Sequence, residues 1–175
     1  MDPRASSTMK HLYLVRHTKS SWDEPGLLDR DRPLAPRGRK AARKLGQHLS
    51  AAGIRPELVL CSSALRARQT LEGLADVLGN AEVLVEDQLY AAEADGLLDR
   101  LRRVPESTGS VMVIAHNPGL QDLALELAAS GPALERLREK FPTGGLATIE
   151  VEADWRDIDR GRGRLVALAT PKDLA

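Results

Sequence analysis

The chain has 175 residues, enough for one domain with a real core. Its 25 basic and 25 acidic residues cancel to a net charge of zero, which gives no bulk attraction for nucleic acid or anionic membrane. No apolar run approaches the length needed to cross a bilayer, and a single cysteine, Cys61, excludes an internal disulfide.

Aromatic residues are only 3%, so the core must be Leu, Val, Ala and Ile. One free thiol fits a reducing compartment. The N-terminus, Met1 to Thr8, is polar and lacks the apolar centre of a signal peptide. Residues 1–9 therefore read as a disordered leader on a cytoplasmic protein, and residues 10–175 as a single domain. The histidines at 11, 17, 48 and 116 show no metal-ligand spacing with Cys61.

His11-Leu12-Tyr13-Leu14-Val15 is apolar and β-favouring, a short buried strand that turns abruptly cationic at Arg16-His17. A turn-rich, charged loop follows from Thr18 to about Pro36, long enough to be functional or disordered. Pro36 suits a first helical residue, and Ala41, Leu45, His48 and Leu49 keep helical spacing up to Gly53, a C-cap. Glu57 to Cys61 predicts a second strand, with Ser62-Ser63 able to cap a helix carrying Arg66 in its first turn and ending at Gly79-Asn80.

Val83-Leu84-Val85 predicts a short third strand and Leu89 to Glu93 a loop. Asp95 can cap a helix that runs to Pro105. Ser110 to Ala115 is a continuous apolar run, the pattern of a central parallel strand buried on both faces, and it ends in His116. Asn117 can cap and Pro118 can open a helix from Leu120 to Ala129. Phe141 to Gly145 reads as a loop. Ala147–Val151 and Arg164–Ala169 are closing strands expected to pair antiparallel across a Gly-rich turn. Strand–helix alternation without a repeat predicts a three-layer α/β/α sandwich with a mostly parallel central sheet.

The strands end in related chemistry. The first ends in Arg16-His17, the second feeds the helix bearing Arg66, and the apolar strand ends in His116. Carboxyl edges of parallel strands share one crevice in such a sheet. Guanidinium forks match phosphate oxygens, and an imidazole titrates near neutrality and can act as a nucleophile. Two arginines and two histidines converging there describe a phosphate site. One neutral imidazole would attack phosphorus while the other groups stabilise the transition-state charge. Such a scheme needs no metal and no cofactor, because arginine supplies the positive charge.

Leu14-Val15-Arg16-His17-Thr18-Lys19-Ser20 resembles the signature of the histidine phosphatase superfamily, with its phosphoglycerate mutase-like fold. From about Lys10 onward the chain is similar to the SixA-type phosphohistidine phosphatase branch of that family. Further motifs carry the likeness: Arg32-Pro33-Leu34-Ala35-Pro36-Arg37-Gly38, Cys61 to Thr70, Leu89-Tyr90, Ala115 to Gly119 and Phe141-Pro142-Thr143. The resemblance implies that His17 is the nucleophile, that Arg16 and Arg66 bind the phosphoryl group, and that His116 is the second histidine at the phosphate. Lys19, Ser20 and Asn117 are candidate phosphate donors beside them.

The chain departs from the family pattern at Ala115, often Gly; at Ala35, often Thr or Asn, which removes a side-chain helix cap; and at Ser63, often Pro. A carboxylic acid that would protonate an alkoxide leaving group has three candidates, Glu93, Asp29 and Asp31, or none of them, all three then being solvated loop charges. Imidazole leaves with less help than an alkoxide, which favours phosphohistidine on a protein as substrate. A small-molecule phosphomonoesterase and a phosphate-binding adaptor without turnover are the alternatives. Arg37, at a helix start, has a substrate-facing or solvated reading. Arg68 reads as solvent-facing, His11 and His48 as structural, Cys61 as a small buried apolar group, and Trp22 as the crevice rim or core. Oligomeric state is left open.

Overall fold

A computed structural model describes residues 9–174; the leader from 1 to 8 lies outside the described residues. Seven strands form one sheet: β1 (Met9–Arg16), β2 (Leu58–Ser62), β3 (Glu82–Glu86), β4 (Ser110–Ala115), β5 (Ala128–Ser130), β6 (Leu146–Glu152) and β7 (Gly163–Ala169). The helices are α1 (Pro36–Ala52), α2 (Leu65–Leu78), α3 (Ala94–Arg102), α4 (Gly119–Leu127) and α5 (Leu134–Glu139). The strand order is β3-β2-β4-β1-β6-β7-β5. β6 alone runs against the others, so the sheet is mostly parallel, as expected.

Alternation along the strands sends apolar side chains to both faces, and each face has its own core. Leu12, Leu14, Val111 and Val113 pack under α3, α4 and α5 together with Trp155 and Phe141. Val15, Val59, Cys61, Met112 and Ile114 pack under α1 and α2 through Leu45, Leu49, Ala67 and Leu74. β4 lies between β2 and β1, and five of its six residues are buried, as its apolar run predicted. The result is the three-layer sandwich.

Several expectations shift. Met9 opens β1, so the strand begins one residue inside the stretch read as leader. The helix predicted to reach Ala129 stops at Leu127, because residues 128–130 pair with β7 instead. Asn117 does not cap α4: Pro118 holds the cap position, and the Asn117 amide is spent elsewhere. Asp95 lies inside the first turn of α3, whose cap position is Glu93 with no side-chain bond. Ala35 precedes α1 without a side-chain cap, in keeping with the departure noted in the sequence.

Two glycines mark where backbone meets backbone. A Cβ on Gly38 of α1 would sit 2.0 Å from the Lys19 carbonyl oxygen, and one on Gly119 would sit 2.2 Å from that of Ala92. Gly38 thereby seats α1 on the segment that follows β1. Gly38→Ala is expected to cost about 1–3 kcal/mol through forced backbone displacement. Gly26→Ala, with nothing within 4 Å of the added methyl, should stay within about 0.5 kcal/mol of the parent. Urea midpoints of the two variants measure the difference.

Candidate active site

The register of β1 on β4 places Arg16 directly opposite Ala115, so Arg16-His17 and His116 leave the sheet at one level. β2 pairs with the other side of β4, Cys61 opposite Ile114, which brings Ser62 alongside. His17 and His116 face each other with ring centroids 5.2 Å apart. One cavity of about 370 Å³ is lined by Arg16, His17, Lys19, Ser20, Arg66, His116 and Asn117, every site residue expected from the sequence. Trp22, Asp29, Arg32 and Thr143 complete its wall.

Hydrogen bonds assign the tautomers. Nδ1 of His17 lies 2.8 Å from the Thr18 carbonyl, so this nitrogen carries the proton. Nε2 keeps its lone pair and, among the described residues, meets only the Arg66 Nε–H, at 3.4 Å. Ser62 is fully buried, and its Oγ accepts from the Ala64 N–H at 3.2 Å. Its own proton is then donated to Nε2 of His116, 2.7 Å away. That leaves Nδ1–H of His116 buried with no partner among the described residues, as is Nε–H of Arg16. Buried donors are rarely left unsatisfied, and these two belong to residues that line the same cavity.

Electrostatics keep both rings uncharged. Burial pushes His17 down to about 4, aided by the guanidinium charges of Arg66, Arg16 and Arg32 and opposed by its bond to Thr18. His116 falls to about 3, again mainly through burial, with His17 and Arg66 adding to it. Arg16 is lowered as well, by burial and then by Arg66.

The surrounding contacts fix these groups. Arg16 Nη1 donates to the Phe141 carbonyl at 3.0 Å. Asn117 Nδ2 donates to the same carbonyl at 3.0 Å and to Gln121 at 3.4 Å, so Asn117 lines the cavity but its amide hydrogens hold Phe141. Thr70 accepts the Thr18 N–H at 3.1 Å and donates to the Arg66 carbonyl at 2.8 Å, tying the segment after β1 to α2. Neither the Thr70 link nor the Phe141 carbonyl was assigned a role from the sequence. Both are through-space contacts; the one kind of sign available was that Thr70 and Phe141 each stand in a family motif.

The long loop contributes an anion. Asp29 accepts from Arg66 Nη2 at 3.0 Å, Arg32 Nη1 at 3.1 Å and the Tyr90 hydroxyl at 2.5 Å. Those bonds, Tyr90's first, hold its carboxyl down at about 2. Of the three candidate acids Asp29 alone lines the cavity, and there it is an ionised acceptor. Glu93 is exposed and lines an adjoining cavity that shares the His116–Asn117 wall, and Asp31 is exposed. Lys19 is exposed at the mouth, and Ser20 accepts from Arg32. Trp22 is 71% exposed, a rim residue stacked on Arg32 and not core. Arg37 and Arg68 are exposed, and burial raises the Cys61 thiol to about 12. Among the described residues no group of three or more His, Cys, Asp or Glu side chains is placed to hold a metal.

A neutral imidazole ringed by guanidinium groups, at the carboxyl edge of a parallel sheet, defines a phosphate-handling protein of the phosphoglycerate mutase-like fold. The model of the histidine phosphatase superfamily (branch 1) matches residues 12–94. Phosphohistidine phosphatase SixA of Escherichia coli is 34% identical over 146 residues, covering 81% of this chain and 85% of that protein. The uncharacterized protein Rv1276c of Mycobacterium tuberculosis is 36% identical over 162 residues, 90% of this chain and 100% of its own. The structure of the protein histidine phosphatase SixA complexed with tungstate superposes with a TM-score of 0.77 at 27% identity, over 94% of this chain and 99% of that one. The chain belongs to the histidine phosphatase superfamily, in its SixA-type branch.

The two imidazoles favour the neutral form in the folded chain, so the unfolded chain binds more protons below the ordinary histidine pKa near 6.5. Their contribution to stability is complete above that value and is lost as the pH falls toward 4 and then 3. Imidazole nitrogen resonances should report both rings neutral at about pH 5.5, where free histidine is mostly charged. Midpoints near 6.5 for either ring would contradict the assignment.

Proposed function

We propose that this chain is a phosphatase that carries the phosphoryl group on His17 and takes phosphohistidine on proteins as its substrate. Nε2 of His17 attacks phosphorus, and the bond to the substrate imidazole nitrogen breaks as the new P–N bond forms. The freed imidazole takes a proton from solvent. Water then attacks the phosphorylated His17 and releases inorganic phosphate, restoring the ring.

Arg16, Arg66 and the Nδ1–H of His116 bind the non-bridging oxygens, with Lys19 and the Ser20 hydroxyl at the mouth. Charge developing on those oxygens meets donors that are already oriented. Three guanidinium groups supply the positive charge, so no step calls for a metal ion. Asn117 acts from behind, holding the carbonyl that positions Arg16.

The observation that carries the phosphohistidine reading is the state of the cavity's one carboxyl. Asp29 is held ionised, at about 2, and is not a proton donor at neutral pH. An alkoxide leaving group needs such a donor, whereas imidazole leaves far more readily. The rim supports a macromolecular substrate: Trp22 and Leu28, 71% and 70% exposed, stand on the loop that carries Asp29. The names of the SixA relatives point the same way. A pure adaptor would need the arginines but not an imidazole with a free lone pair.

Turnover of a histidine-phosphorylated protein is expected to exceed that of sugar phosphates, and faster hydrolysis of sugar phosphates would overturn the assignment. Rapid quenching into alkaline denaturant should trap label on His17, and His17→Ala should lose both the label and turnover. Arg66→Ala removes oriented donors and should lower kcat/KM about 10²–10³-fold.

A further inference from the structure

Charge is not spread evenly over this neutral chain. α1 carries Arg37, Arg39, Lys40, Arg43 and Lys44 and no acidic residue along its 17 positions. Arg37, Lys40 and Lys44 share one helix face by their spacing. Like charges on adjoining turns repel, and cations near a helix start oppose its dipole. Such a departure from local preference marks a face shaped by something outside the helix. Among the described residues no acidic side chain pairs with these three, whereas Arg30, Arg32, Arg66, Arg100 and Arg136 are all held in ion pairs.

The three cations wall a groove of about 240 Å³ whose floor is apolar: Ala41, Pro171 and Leu174, with Gly144 at its end. The groove adjoins the catalytic cavity. The Gly144 N–H donates to the carbonyls of both Arg16 and His17 at 2.9 Å, and its neighbour Thr143 lines the phosphate cavity. On the other side Gly38 packs on the backbone of Lys19, which stands exposed at the cavity mouth.

We propose that this groove docks an acidic surface of the phosphoprotein substrate, with one apolar side chain of that surface seated on its floor beside the phosphorylated residue. The inference rests on the reading of the site as a protein phosphohistidine phosphatase. Charge complementarity selects an acidic partner. The floor holds no aromatic residue on which a base would stack, which favours an aliphatic side chain of a protein over a nucleic acid. No large apolar residue stands exposed on α1 or on the 170–174 segment to enter a bilayer, as a membrane-binding face would require.

The test uses two phosphohistidine peptides with about ten residues on either side, a reach of roughly 30 Å per arm, one flanked by Glu and Leu and the other by Lys and Leu. Phosphoramidate is the small substrate. The parent is expected to prefer the acidic peptide by about tenfold in kcat/KM at low salt, the preference shrinking at high salt. Arg37→Gln/Lys40→Gln/Lys44→Gln should erase that preference, and the corresponding triple Glu variant should reverse it. Both should turn over phosphoramidate at the parent's rate, which also shows that they fold.

Equal hydrolysis of the two peptides by the parent would overturn the docking proposal and leave the phosphatase reading standing. Hydrolysis of phosphoramidate but of neither peptide would overturn both. Binding to heparin or phosphatidylglycerol vesicles that the Glu variant loses, with no peptide preference, would assign the face to another polyanion and overturn the proposal.

Discussion

The alignment of β1 with β4 is the constraint on which the site depends. Arg16 stands across from Ala115, so the residues that follow, His17 and His116, emerge side by side. A slip of one residue would send every side chain of the strand to the opposite face. Leu12 and Leu14 would then exchange places with Tyr13 and Val15, and two well-filled cores would be lost. The apolar pattern that stabilises the sandwich is thus also what holds the two imidazoles at 5.2 Å.

Burial does the rest of the chemistry. Removing an imidazole from water disfavours its charged form, and three guanidinium groups act in the same direction on His17. The cavity wall carries Arg16, Lys19, Arg32 and Arg66 against one carboxylate, Asp29, with both rings neutral. The local excess of positive charge suits a phosphoryl dianion. The Thr18 carbonyl prevents the neutral ring from choosing the wrong tautomer: with Nδ1 bonded there, the lone pair of Nε2 is the one that faces Arg66.

What the sequence made legible was local. A strand that turns cationic at Arg16-His17, and an apolar run that stops at His116, both announce a sheet edge. The connections between these features were less readable, because partners such as Tyr90 and Asp29, or Arg16 and Phe141, lie 61 and 125 residues apart. Ser62 was read as a helix cap. The cap position of α2 is instead Ala64, with no side-chain cap bond; Ser62 accepts the Ala64 N–H ahead of the helix, and its second bond, to His116, fixes the ring and has no local signal. Residues 128–130 failed for a different reason. Two alanines prolong the helical pattern of α4, yet pairing with β7 wins over propensity there.

The protein treats its cations in two ways, and the contrast explains the role of Asp29. A phosphate must compete with that carboxylate for Arg66, so in a simple count of attractions Asp29 opposes binding. Yet a long guanidinium side chain left free would lose rotamer entropy on binding, and Asp29 has already fixed Arg66 and Arg32 in place. It is one singly charged group with its side chain 52% exposed, so a dianion with several donors waiting for it is the stronger competitor. On α1 no carboxylate among the described residues holds Arg37, Lys40 or Lys44; the first two are exposed and the third half-buried, so long-range attraction matters more there than fixed geometry. Preorganised cations suit a reacting group whose position must be defined to a fraction of an ångström, and solvated ones suit a surface that has only to be drawn in and roughly aligned.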